Sequence, residues 1–101
     1  MTWEDLERIV RERAAADPAG SWTARLVADG VPRIAKKTGE EAVETVIAAL
    51  SESDAALAGE AADLVYHLTV LLHARGVRVA DVMAVLASRQ GRSGIAEKAA
   101  R

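Results

Sequence analysis

Ala55-Ala56-Leu57-Ala58-Gly59-Glu60-Ala61-Ala62-Asp63-Leu64-Val65-Tyr66-His67-Leu68-Thr69-Val70-Leu71-Leu72-His73-Ala74-Arg75 is the stretch on which the fold turns. It holds no proline and no sustained period-two alternation, so it predicts one helix about 30 Å long at 1.5 Å per residue. Ala61, Ala62, Leu64, Val65, Leu68, Val70, Leu71 and Leu72 leave little of its circumference polar. A helix that apolar is normally interior. It follows a polar turn, Ser51-Glu52-Ser53-Asp54, with Asp54 as the expected cap, and Gly76 ends it. Before the turn, a third helix is expected from Pro32 to about Leu50, through an interior Gly39 whose cost suggests close backbone approach. Two long helices joined by a short turn predict an antiparallel hairpin.

The flanking elements are shorter. Thr2 and Asp5 have the spacing of a reciprocal capping box, which starts a first helix running to Ala15, with Leu6, Ile9, Val10 and Arg13 on one stripe. Asp17-Pro18-Ala19-Gly20 breaks it, Ser21 caps a second helix over Trp22 to Asp29, and Gly30 is expected to close that helix in the left-handed conformation. A fifth helix is expected from Ala80 to Gln90, ended by Gly91, with no good cap at Arg78 or Val79. The closing segment, Arg92 to Arg101, has Ile95 as its one apolar anchor and is expected to dock.

The 101 residues predict one domain, 1-101, that is all-α: a bundle of four to five helices per chain. Half the residues are apolar, yet Trp3, Trp22 and Tyr66 are the only aromatics, so Ala, Val, Leu and Ile must build the core. Small side chains let helices approach closely, and much of the burial then comes from neighbours. A homodimer that completes the bundle is expected. A net charge of −2 offers no whole-molecule field for nucleic acid. The absence of cysteine excludes disulfides and thiolate chemistry, and with it favours a cytoplasmic protein. Charges at Glu4, Asp5, Glu7, Arg8 and Arg11 are incompatible with a secretory leader, and no uninterrupted apolar run reaches the ~18 residues of a membrane span.

The third helix carries Glu40, Glu41 and Glu44, and the fourth carries Glu60 and Asp63. Spacings of three and four put these acids on common helix faces, where like charges cost roughly 0.2–0.5 kcal/mol per pair. A solvated acidic stripe is the plain reading of any one such pair. Two pairs on consecutive helices, one inside an apolar run, point instead to an oxygen-only metal site, because buried carboxylates need a proton, a partner or a cation. Oxygen ligands favour Mg²⁺, with Mn²⁺ as the alternative. A di-iron bundle expects Glu-x-x-His, whereas His67 follows Asp63 by four, and His67 reads as a satisfied core histidine. Arg33, Lys36 and Lys37 precede the acids by one to two turns. They read either as surface ion pairs, Lys36 with Glu40 and Lys37 with Glu41, or as a grip on phosphate oxygens.

Glu41-x-x-Glu44 followed by Glu60-x-x-Asp63 resembles the acidic signature of the all-α, MazG-like nucleotide pyrophosphohydrolases. Ser21-Trp22-Thr23-Ala24, Ile34 through Glu44, Glu60 through Leu68, and Arg89-x-Gly91-x-Ser93-Gly94-x3-Lys98 together resemble the phosphoribosyl-ATP pyrophosphohydrolase family over essentially the whole chain. Trp22 takes a place where that family commonly has tyrosine, and Val79 one where a proline or capping residue often opens the last helix. The resemblance implies hydrolysis of phosphoribosyl-ATP to phosphoribosyl-AMP and pyrophosphate with Mg²⁺, the second step of histidine biosynthesis, by a homodimer. In that scheme Glu41, Glu44, Glu60 and Asp63 hold metal, Glu40, Glu41 and Glu44 serve catalysis, and Ser21, Thr23, Arg33, Lys36 and Lys37 bind substrate. Two rivals stand beside it: a housekeeping nucleoside triphosphate pyrophosphohydrolase and a non-catalytic helical dimerisation module.

Overall fold

The computed structural model describes residues 1–91. Five helices follow one another: α1 Trp3–Ala14, α2 Trp22–Asp29, α3 Val31–Ser51, α4 Asp54–Arg75 and α5 Val79–Ser88, with no strand among the described residues. The expected docking of Arg92 to Arg101 lies outside them. α3 and α4 form the antiparallel hairpin, the most extensive packing in the molecule, and α1, α2 and α5 gather at one end of it.

That end holds the core. Val10, Leu26, Ile34 and Val70, one from each of α1 to α4, are fully buried, and Leu6, Val27, Tyr66, Leu71 and Ala74 pack around them. The indole N–H of Trp3 donates to the Thr69 hydroxyl at 2.9 Å, which pins the start of α1 to α4. The opposite end of the hairpin is uncovered. Val43, Val46, Ile47 and Leu50 on α3 are 48 to 83% exposed and repeat at helical spacing along one stripe.

Local signals account for most boundaries. Thr2 and Asp5 form the capping box, with Asp5 N–H donating to the Thr2 hydroxyl and Thr2 N–H to the Asp5 carboxylate. Four expectations need correction. Ser53, not Asp54, caps α4, its hydroxyl accepting from Ala56 N–H at 3.1 Å, while Asp54 takes the first helical position. Gly30 is not left-handed helical: at φ 100 and ψ 167 it occupies extended space that only glycine reaches cheaply, and it serves as C-cap of α2 and N-cap of α3 together. Gly39 is not closely approached from within the chain, since a Cβ there would meet nothing of the same chain within 4 Å. α5 begins at Val79 and ends at Ser88, one residue before and two residues short of the expected limits. Its start is secured from α1 and from within: Val79 N–H donates to a Glu7 carboxylate oxygen at 2.8 Å, and Arg78 N–H to Asp81 of α5 itself at 2.9 Å. α4, although interrupted by Glu60 and Asp63, is long and apolar enough by length and composition to cross a bilayer, with a mean hydropathy of 1.3; here it packs along α3 and the small helices.

Candidate active site

Midway along the hairpin, where covered and uncovered ends meet, α3 and α4 bring Glu41, Glu60 and Asp63 together. One carboxylate oxygen from each lies within 4.8 Å of the others. Glu41 is buried, Glu60 half-buried and Asp63 exposed, so the cluster is closed on one side and open on the other. The Glu41 and Glu60 Oε2 atoms are buried and have no hydrogen-bond partner among the described residues. Orphaned buried carboxylate oxygens are rare, because water's lone-pair contacts have been lost and nothing has replaced them. Burial raises the Glu60 carboxyl above its ordinary range, followed by a hydrogen bond with Glu44 and the charges of Glu44, Asp63 and Glu41. Glu44 is exposed and joins the cluster through Glu60 rather than as part of the triad.

The arrangement fits a hard divalent cation. Its donors are all oxygen, two of them lack any other partner, and their mutual repulsion is relieved by positive charge. One cation is already present. Lys37 Nζ sits 3.1 Å from Glu41 Oε1, leaving Oε2 of the same carboxylate unfilled. That hydrogen bond is the chief reason the Lys37 ammonium holds its proton more tightly than an ordinary lysine. Glu41 and Glu60 thus do not belong to a solvated stripe, whereas Asp63, Glu44 and Glu40 are exposed.

Beside the acids, Trp22, Leu26, Arg33, Lys36, Lys37 and Glu40 line a cleft of about 250 Å³ between α2 and α3. The expected pairing of Lys36 with Glu40 does not form. Among the described residues no carboxylate lies within ion-pair distance of Lys36. Arg33 pairs with Asp29 at 3.2 Å, but both side chains are well exposed, so the pair is worth little and yields readily to a phosphate. Glu40 is exposed at this cleft and outside the triad.

A second cleft, about 460 Å³, adjoins the first and shares Trp22 with it. Trp22 is 44% exposed, and its indole N–H donates to His67 Nε2 at 3.3 Å. His67 Nδ1 lies 2.7 Å from the Asp63 carbonyl, which can only accept, so the proton sits on Nδ1 and Nε2 is free to receive the indole. Both ring nitrogens are committed, as a core histidine requires. Ser21 and Thr23, expected at the substrate, have hydroxyls committed to the fold. Ser21 donates to the Arg13 carbonyl at 3.0 Å and accepts Ala24 N–H at 3.1 Å. Thr23 is buried with its hydroxyl against that of Tyr66. Arg13 and Tyr66 line the same cleft and were absent from the sequence-based site. The available signal was Arg13 itself, a charge on the apolar stripe of α1.

Residues 3–90 match the family model described as phosphoribosyl-ATP pyrophosphohydrolase. The chain is 59% identical over 97 residues to a phosphoribosyl-ATP pyrophosphatase of Agrobacterium fabrum, covering 96% of this chain and 91% of that protein. It is 56% identical over 100 residues to one from Rhizorhabdus wittichii, covering 99% and 94%. With one from Erythrobacter litoralis it shares 55% identity over 100 residues, covering 99% and 96%.

Proposed function

The chain belongs to the phosphoribosyl-ATP pyrophosphohydrolase family, and on that premise we propose that it hydrolyses phosphoribosyl-ATP to phosphoribosyl-AMP and pyrophosphate in a Mg²⁺-dependent reaction, the second step of histidine biosynthesis. It is a hydrolase. Similarity along nearly the full length to proteins named for this substrate favours it over a general triphosphate pyrophosphohydrolase or a non-catalytic module.

The observation that carries the reading is the pair of orphaned buried oxygens on Glu41 and Glu60, within a carboxylate triad and beside a cationic cleft. Glu41, Glu60 and Asp63 would hold the metal, with Glu44 reaching the same group through Glu60. A divalent ion held by these residues would supply charge neutralisation for the pyrophosphate and activation of water. Lys36 and Arg33 grip phosphate oxygens from the adjoining cleft by charge-assisted hydrogen bonds. Lys37, tied to Glu41, links the two halves of the site so that the phosphates and the acids keep a common geometry. Glu40, exposed and outside the triad, accepts the proton of the attacking water. Ser21 and Thr23 shape the substrate wall by fixing α2 on α1 and α4.

The exposed stripe of Val43, Val46, Ile47 and Leu50 supports a homodimer, since an apolar helix face of this length is normally covered. A cytoplasmic location goes with the substrate and with the lack of cysteine. Release of pyrophosphate from phosphoribosyl-ATP, measured with and without Mg²⁺ against a panel of nucleoside triphosphates, tests the function. Metal-dependent turnover of phosphoribosyl-ATP above the panel is the expected result. Turnover indifferent to Mg²⁺, or faster on plain triphosphates, overturns it.

A further inference from the structure

Arg13 takes no part in the chemistry described above, yet its cleft, walled by Ser21 and Thr23, is the larger of the two that meet at Trp22. Its cation is held in place. Arg13 Nη1 donates to the Tyr66 hydroxyl at 3.3 Å, and the guanidinium carbon stands 5.9 Å from the centre of the Tyr66 ring, within cation–π range. The Tyr66 hydroxyl is anchored in turn on Thr23, which is 2% exposed. Arg13 has no carboxylate within ion-pair distance among the described residues, so its remaining N–H groups face the cleft uncommitted.

A positioned, uncompensated guanidinium is suited to bidentate capture of a phosphate. If phosphoribosyl-ATP is the substrate, as proposed above, it carries phosphate at two separate places: a triphosphate on one ribose and a single phosphate on the other. The described residues likewise form a cationic cleft beside the carboxylates and another at Arg13, with the exposed indole of Trp22 common to both. The geometry points to Arg13 as the specificity-determining residue that binds the phosphate of the phosphoribosyl group, with Trp22 as the aromatic wall for the purine between the clefts. Tyr66 and Thr23 are positioning residues for that guanidinium. The triphosphate end then falls to Lys36, Lys37 and Arg33, next to the acids.

The products separate this inference from the reading on which it rests, because phosphoribosyl-AMP differs from AMP by the phosphoribosyl group alone and neither needs turnover to bind. Calorimetry on the wild-type chain is expected to show tighter binding of phosphoribosyl-AMP than of AMP. Arg13→Gln is expected to shrink that preference by about ten- to a hundredfold, the range for a lost charged hydrogen bond, and Arg13→Lys to restore part of it. Equal affinity of the wild type for both nucleotides, or a preference kept in Arg13→Gln, overturns the assignment even if phosphoribosyl-ATP is hydrolysed. Should Arg13→Gln fail to fold, the wild type answers alone: titration of ¹⁵N-labelled protein with ribose 5-phosphate is expected to shift the Arg13 Nε–H and the Thr23 amide. Shifts confined to Arg33, Lys36 and Lys37 overturn it. Failure of the wild type to release pyrophosphate from phosphoribosyl-ATP would strike the functional reading instead.

Discussion

The two ends of the α3–α4 hairpin are built from the same residue types and have opposite surroundings. At one end Ile34 and Val70 are fully buried under α1 and α2; at the other Val46, Ile47 and Leu50 stand 58, 48 and 83% exposed. The hairpin is longer than the short helices available to cover it, so one half is buried within the chain and the other half is left open among the described residues. The carboxylates lie at the boundary. Burial on the covered side gives Glu41 its low exposure, and openness on the other side leaves Asp63 and Glu44 accessible. A site made wholly within the core would exclude a nucleotide, and one on the open half would leave its acids solvated.

The comparison is broken most forcefully by truncating one side chain at each end. Ile34→Ala should cost about 2–5 kcal/mol in chemical denaturation, independent of protein concentration, because its partners belong to the same chain. Ile47→Ala should lower the melting temperature in a concentration-dependent way and move the sedimentation profile towards monomer. If Ile47→Ala leaves both unchanged, the open end has no partner.

At the boundary, Glu60→Gln keeps the shape of the side chain and removes its charge. Pyrophosphate release should fall by at least about a hundredfold while helix content by circular dichroism is retained. Gly30→Ala tests the hinge between α2 and α3, which sets the cationic cleft against the acids. At φ 100 an alanine is strained, and a loss of roughly 1–3 kcal/mol is expected on denaturation.

A subtler measurement follows Glu60 in metal-free protein. Burial, then Glu44 and the neighbouring charges, hold its carboxyl above the ordinary 4.5. The folded chain therefore binds this proton more tightly than the unfolded one, and Glu60 lowers stability progressively as pH rises above 4.5 towards its raised value. The melting temperature of Glu60→Gln should lack that component, and Mg²⁺ should raise the wild-type melting temperature more above this window than below it. A wild type and variant with parallel pH profiles would remove the carboxylate repulsion from the account. The smallest expected effect is Gly39→Ala on the open side of α3: with nothing of the same chain within 4 Å of the added methyl, the stability of the monomer at low protein concentration should rise by about 0.5–1 kcal/mol.

How much of this was legible depended on whether the relevant contact was local. Thr2, Ser21 and Gly76 announced helix ends because a cap is satisfied within three or four residues, and α1, α2 and α4 fall within a residue of their expected limits. The acids were legible too, since their i,i+3 spacing places them on one face of each helix. Arg13 and Tyr66 were missed because their meeting joins residues 53 apart. Lys36 and Lys37 looked equivalent in the sequence, and only the packing sends Lys37 to Glu41 and leaves Lys36 facing the cleft.

Helix identity, the order of the hairpin and the acidic ladder followed from the chain alone, because periodicity, capping and charge spacing act within a turn or two of backbone. The tertiary structure decided the rest. It started α5 with a carboxylate borrowed from Glu7, left two oxygens of Glu41 and Glu60 without partners, and set Trp22 on His67 where two clefts join. Those outcomes depend on which groups meet across helices, and on how much water is left between them, neither of which any local spacing specifies.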